Sequence, residues 1–139
     1  MNKNNERPVG KTKAVGWEIG VRKTLAVSHT RAWNLVTSPE GIQAWLGEDP
    51  GVELSEGVTY TLGDGTTGEM RVFKPLSHLR ITWQPKAYPR PSTIQVRVIP
   101  KDAKTVIAFH QEHLPGPEAR AQRRVAFKTA LEALESMLK

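Results

Sequence analysis

The chain has 139 residues, no cysteine, 38% hydrophobic and 24% charged residues, and a formal net charge of +6. That length fits one domain, large enough to bury a core without a metal or disulfide staple. The absence of cysteine excludes disulfides, thiolate metal sites and cysteine nucleophiles. The longest apolar run, Val106–Phe109, falls far short of the ~20 residues of a membrane span, so no membrane insertion is expected.

Residues 1–14 are polar and carry half of the net charge, Lys3, Arg7, Lys11 and Lys13 standing against Glu6. They predict a disordered basic tail ahead of a domain over residues 15–139. They contain no apolar core of the kind a secretory signal needs, which points to a cytoplasmic protein. Gly10-Lys11-Thr12 has the ending of a phosphate-binding loop, but Asn5 stands where its first glycine must be, so that motif is rejected. Residues 17–27 read as a strand. Trp17, Ile19, Val21, Leu25 and Val27 share one parity, broken only by Lys23. Ser28 caps a helix over residues 29–37, with Ala32, Leu35 and Val36 on one side. Ser38, Pro39 and Glu40 start a second short helix over residues 39–46, which Gly47 ends.

Five strand candidates follow: Val58–Leu62, Gly68–Lys74, Leu79–Trp83, Thr93–Ile99 and Thr105–Leu114, separated by turn-forming stretches rich in Gly, Pro and Asp. Strict alternation places Met70 and Val72 on one face of their strand, Leu79, Ile81 and Trp83 on one face of theirs, and Ile94, Val96 and Val98 on one face of the next. Arg71, Arg80 and Arg97 fall on the polar face. An antiparallel sheet with one buried face follows. The strand at 105–109 is apolar on both sides and belongs in the middle. The chain closes in a long helix from Pro117 to about Leu138, with Phe127, Leu131, Leu134 and Leu138 as its stripe. Extended backwards, that stripe meets Arg123 or Arg124 and then Arg120 instead of further leucines.

Charge is segregated along the chain. Residues 32–70 contain no Lys or Arg and seven acidic residues, whereas residues 71–104 contain eight Lys and Arg against Asp102. Cross-strand ion pairs and a solvated face account for this, or an anionic partner does. Nucleic acid is not the expected partner, because no aromatics interleave with the basic residues as on a stacking platform.

The order of elements is a strand, two short helices, about six strands and one long helix. With it go Ala32-Trp33, Thr37-Ser38-Pro39-Glu40-Gly41-Ile42 with Trp45-Leu46, Ile81-Thr82-Trp83, and Phe109-His110-Gln111-Glu112-His113-Leu114-Pro115. On these residues the chain, over about residues 17–138, resembles the SRPBCC (START, Bet v 1-like) superfamily. Within it the likeness is to the proteins named after the activator of heat-shock-protein-90 ATPase. Phe127 stands where that family usually has Trp. The resemblance implies an α+β helix-grip fold, a curved antiparallel sheet wrapped around the C-terminal helix with a cavity between them. The superfamily holds lipid carriers, hormone receptors, polyketide cyclases and co-chaperone domains, so the fold does not give the function.

The histidines of His110-Gln111-Glu112-His113 are three apart on a predicted strand, which sends them to opposite faces and argues against a metal site. One of His110, His113 and Glu112 is expected to face inwards. Glu112, if buried, needs a cation, for which Arg120, Arg123 and Arg124 are candidates; such a pair is a simple ion pair fixing the last helix or, at the cavity mouth, binds an acidic headgroup. No catalytic set can be ordered from the remaining serines and histidines, and no cofactor is implied. The expected function is binding of a small hydrophobic or amphipathic molecule by Trp45, Tyr60, Met70, Trp83, Val96, His110, Glu112, Arg123 and Phe127. The alternatives are a cyclase or dehydratase using His110 or Glu112 as acid/base, and a co-chaperone-like or stress-response module. A protein partner or a homodimer stays open.

Overall fold

The computed structural model describes residues 11–12 and 16–139. The tail expected over residues 1–14 lies outside them apart from Lys11–Thr12. In chain order the elements are strands β1 (Lys11–Thr12) and β2 (Gly16–Leu25), helices α1 (His29–Thr37) and α2 (Pro39–Leu46), strands β3 (Thr59–Thr61), β4 (Thr67–Lys74), β5 (His78–Trp83), β6 (Ser92–Lys101) and β7 (Lys104–Leu114), and helix α3 (Pro117–Ser136). The strands form one sheet of order β1-β2-β7-β6-β5-β4-β3, every neighbouring pair antiparallel. Helix α3 lies across β2 and β7 and touches α2, and α1 packs on β6 and β7. This is the helix-grip arrangement.

The short helices start and stop where their end residues dictate. The Ser28 hydroxyl accepts the Arg31 N–H at 3.2 Å, and the Ser38 hydroxyl accepts the Gly41 N–H at 3.0 Å. Gly47 ends α2 in the left-handed region at φ 95°. Gly41 is needed for a second reason: a Cβ there would overlap the backbone carbonyl of Leu35, so α1 and α2 meet closely only because position 41 has no side chain.

The inner face of the sheet contributes Ile19, Leu79, Ile81, Ile94, Val96, Ile107 and Phe109 to the core, and α3 contributes Phe127, Ala130, Leu131 and Leu134. Lys23 shares the inward parity of β2, yet its amine reaches past the core to Glu135 of α3 at 2.8 Å. That exposed pair raises the lysine and lowers the carboxyl from their ordinary values, mainly through the hydrogen bond between them.

Strict alternation fails at two bulges. In β4, Met70 pairs with Ile81, but Val72 then pairs with Arg80 and Phe73 with Leu79. The extra residue turns Val72 to the polar face and Phe73 to the core side, where it packs against Trp33 at 5.8 Å. The expectation that Met70 and Val72 share a face is therefore corrected. In β7, Gln111 pairs with Ile19 and Leu114 with Trp17, so one extra residue stands on β7. His113 takes a left-handed φ of 63° in that stretch, and both Gln111 and Leu114 end up buried.

Candidate functional site

The space between α3 and the sheet is filled by a column of planar groups. Arg123 of α3 lies with its guanidinium carbon 4.2 Å from the centre of the Trp83 ring and 4.7 Å from that of Phe127, one turn further along the helix. Phe127 stacks on Phe109 of β7 at 5.0 Å with nearly parallel planes. Phe109 in turn contacts Trp45 of α2 at 6.3 Å. Tyr88, from the loop between β5 and β6, stands edge-on to Trp83 at 5.6 Å. Of the two arginines that the sequence pattern offered, Arg123 continues the α3 stripe inwards and Arg124 is exposed.

The arginine is held by a polar relay. Its Nε–H donates to Gln111 Oε1 at 2.8 Å, the Gln111 amide donates to Ser92 Oγ at 2.9 Å, and the Ser92 hydroxyl donates to the Trp83 carbonyl at 2.6 Å. Gln111 and Ser92 are wholly buried. Every group in this relay is neutral except the guanidinium, and Arg123 has no acidic partner among the described residues. Burial accordingly pushes its pKa down to about 10. The same cause raises the phenols of Tyr60 and Tyr88, whose electrostatic coupling to Arg123 acts the other way. The Trp83 indole N–H is buried and has no acceptor among the described residues, whereas that of Trp45 donates to the Val36 carbonyl at 2.9 Å.

Beside this column an apolar cleft opens between α2, the irregular stretch 49–58 and strands β3, β4 and β5. Trp45, Tyr60 and Met70 line it together with Ile42, Leu54 and Ile81, and the void measures about 30 Å³. It holds a water or two, not a ligand, unless the 49–58 stretch moves. Tyr60 joins the cleft to the column. Its hydroxyl donates to the Thr82 carbonyl at 2.6 Å, and its ring covers Gly68 so closely that a Cβ there would overlap it.

The residues expected to line one cavity thus divide into three groups. Trp45, Tyr60 and Met70 face the cleft; Trp83, Arg123 and Phe127 form the column; Val96 is wholly buried beneath it, paired in register with Phe109. His110 and Glu112 do not face the interior, and this corrects the expectation for them. The inward parity of β7 runs Ile107, Phe109, Gln111, so His110 and Glu112 project to the opposite face. There His110 Nε2 meets Glu18 Oε1 at 2.8 Å, and its Nδ1 lies 3.4 Å from Glu112. His113 is exposed. Glu112 is not the partner of an arginine: Arg120 donates to the Glu18 carbonyl at 2.7 Å, and Arg123 takes the neutral Gln111. An acid/base role inside the fold is therefore out of reach for His110 and Glu112. Gln111, Ser92 and Tyr88 were missed from the sequence. Gln111 carried a usable signal, because it continues the alternation of Ile107 and Phe109.

No cluster of His, Asp or Glu able to hold a metal exists among the described residues. No helix among them is long and apolar enough to cross a membrane. The family model described as activator of Hsp90 ATPase homolog 1-like protein matches residues 26–139. No curated protein matches the chain. Among solved structures, CalU16 from Micromonospora echinospora is similar at 20% identity with a TM-score of 0.77, covering 89% of this chain and 76% of that one. DynU16, described as a putative protein in the dynemicin biosynthetic locus, is similar at 17% identity and TM-score 0.72, with 87% of this chain matched to 46% of its own. An HSP90 activator from Plasmodium falciparum is similar at 18% identity and TM-score 0.70, covering 88% and 96% of the two chains.

Proposed function

The chain belongs to the activator of Hsp90 ATPase homolog 1-like family, and from that premise we propose that it is a cytoplasmic protein that binds a small apolar or amphipathic molecule within the helix grip. The observation that carries this reading is the apolar cleft lined by Trp45, Tyr60 and Met70, with Asp49 and Glu53 also on its lining. Its outer wall is the stretch 49–58, which has no helix or strand of its own and includes Gly51 and Gly57 at positive φ. A wall of this kind moves at lower cost than a packed element, so the small resting void is compatible with a larger occupied one. Val96 and Phe127 support the cleft from below as packing residues.

Native mass spectrometry of freshly purified protein tests this reading. A population heavier than the bare 15.5 kDa chain by a few hundred daltons, released on denaturation, is the expected result. Only the bare mass, together with no thermal shift from any apolar small molecule in a broad panel, counts against it. A second reading is a protein-binding role, favoured by the likeness to the Plasmodium falciparum HSP90 activator over nearly all of that chain. It predicts complex formation with a chaperone that is unaffected by blocking the cleft.

A further inference from the structure

The partly buried guanidinium of Arg123 has no counter-ion among the described residues, and we propose that Arg123 and the Trp83 indole N–H form the acid-recognising end of the binding site, so that the ligand is an organic acid: an apolar body carrying one carboxylate or sulfonate. This deepens the ligand-binding reading and rests on it.

Three observations converge on this point. The first is the guanidinium's bonding. Only its Nε–H is used, by Gln111, and the terminal nitrogens donate to no described residue. A guanidinium offers five donors in a planar fork that matches an acid group in two-pronged fashion. The second is the setting. Trp83 and Phe127 hold the guanidinium between their faces, and the relay through Gln111 and Ser92 fixes its orientation without supplying any negative charge. A cation desolvated in this way is stabilised by an incoming anion far more than a solvated one is. The third is the Trp83 N–H in the same column, a further buried donor with no acceptor among the described residues. A buried apolar side chain at position 123 would close the core without the desolvation cost, so packing does not account for an arginine there.

Two fluorescent probes with the same aromatic body separate the possibilities: N-phenyl-1-naphthylamine, which is neutral, and 1-anilinonaphthalene-8-sulfonate, which adds one acid group. The wild-type protein is expected to bind the sulfonate at least tenfold more tightly. Arg123→Met should abolish that preference, read as the ratio of the two probes' affinities within the variant, while Arg123→Lys should keep part of it. Trp83→Phe keeps an aromatic ring but removes the donor; it should lower the ratio of sulfonate to neutral-probe affinity several-fold. Equal affinities for the two probes in the wild type, or a preference that survives Arg123→Met, would overturn the acid-site assignment while leaving the cleft intact. Failure of both probes to bind would overturn the cleft along with it.

Discussion

Replacing the buried relay by apolar side chains should make this protein more stable. Burial holds the Arg123 guanidinium at about 10 against an ordinary 12.5, which at about 1.4 kcal/mol per pH unit is a cost of ~3 kcal/mol at neutral pH. Contact with Trp83 and Phe127 returns about 1–2 kcal/mol of that. In Arg123→Met the charge and its cost disappear, but Gln111 Oε1 is left buried without its donor, a penalty of about 1–3 kcal/mol. The single variant should therefore lie within about 2 kcal/mol of wild type. In Gln111→Leu/Arg123→Met the orphaned oxygen is gone too, and the Ser92 hydroxyl keeps its bond to the Trp83 carbonyl. That double variant should exceed wild type by about 1–2 kcal/mol, in line with other buried polar sets replaced by apolar ones. Urea denaturation reads this as a higher midpoint at unchanged slope. A loss of about 3–5 kcal/mol in the single variant, not recovered in the double, would refute the reasoning, because it is what breaking a compensated buried ion pair produces.

Two further outcomes follow from particular contacts. Gly41→Ala would drive a methyl into the Leu35 carbonyl at the α1–α2 junction, and a loss of more than about 2 kcal/mol is expected in denaturant melts; a near-neutral change would mean the two helices are not so closely apposed. Burial raises the Tyr60 phenol, so its contribution to stability is complete below the unfolded phenol's pKa of about 10 and is lost as pH climbs towards the higher folded value. The midpoint of urea unfolding should therefore fall more steeply between about pH 9 and 11 for wild type than for Tyr60→Phe, and parallel slopes would contradict the burial of that hydroxyl.

The elements were legible because each carries its own local cause. Ser28, Ser38 with Pro39, and Gly47 set the ends of the short helices. Period-two alternation gave β5 and β6, and the Phe127–Leu131–Leu134 stripe gave α3. Where the pattern was locally interrupted, it misled. A bulge adds a residue without any distinctive composition, so Phe73 and Val72 exchanged faces unannounced. The candidate site was legible in part: Trp45, Tyr60, Met70, Trp83 and Arg123 do lie towards the interior, while His110 and Glu112 lie on the other side of the sheet. Their chemistry drew attention that the parity of Ile107 and Phe109 should have overruled.

What the sequence determined by itself is the set of elements and their order, because capping, alternation and helical spacing act between residues a few positions apart; the helix grip came with the family resemblance that this order and its motifs carry. The tertiary structure alone decided what fills it. That a cation meets a neutral amide and two aromatic faces, with no carboxylate partner among the described residues, depends on Trp83, Gln111 and Arg123 converging from three different elements. No spacing along the chain encodes that convergence, since it follows from how the register of β5 and β7 aligns with the rotation of α3.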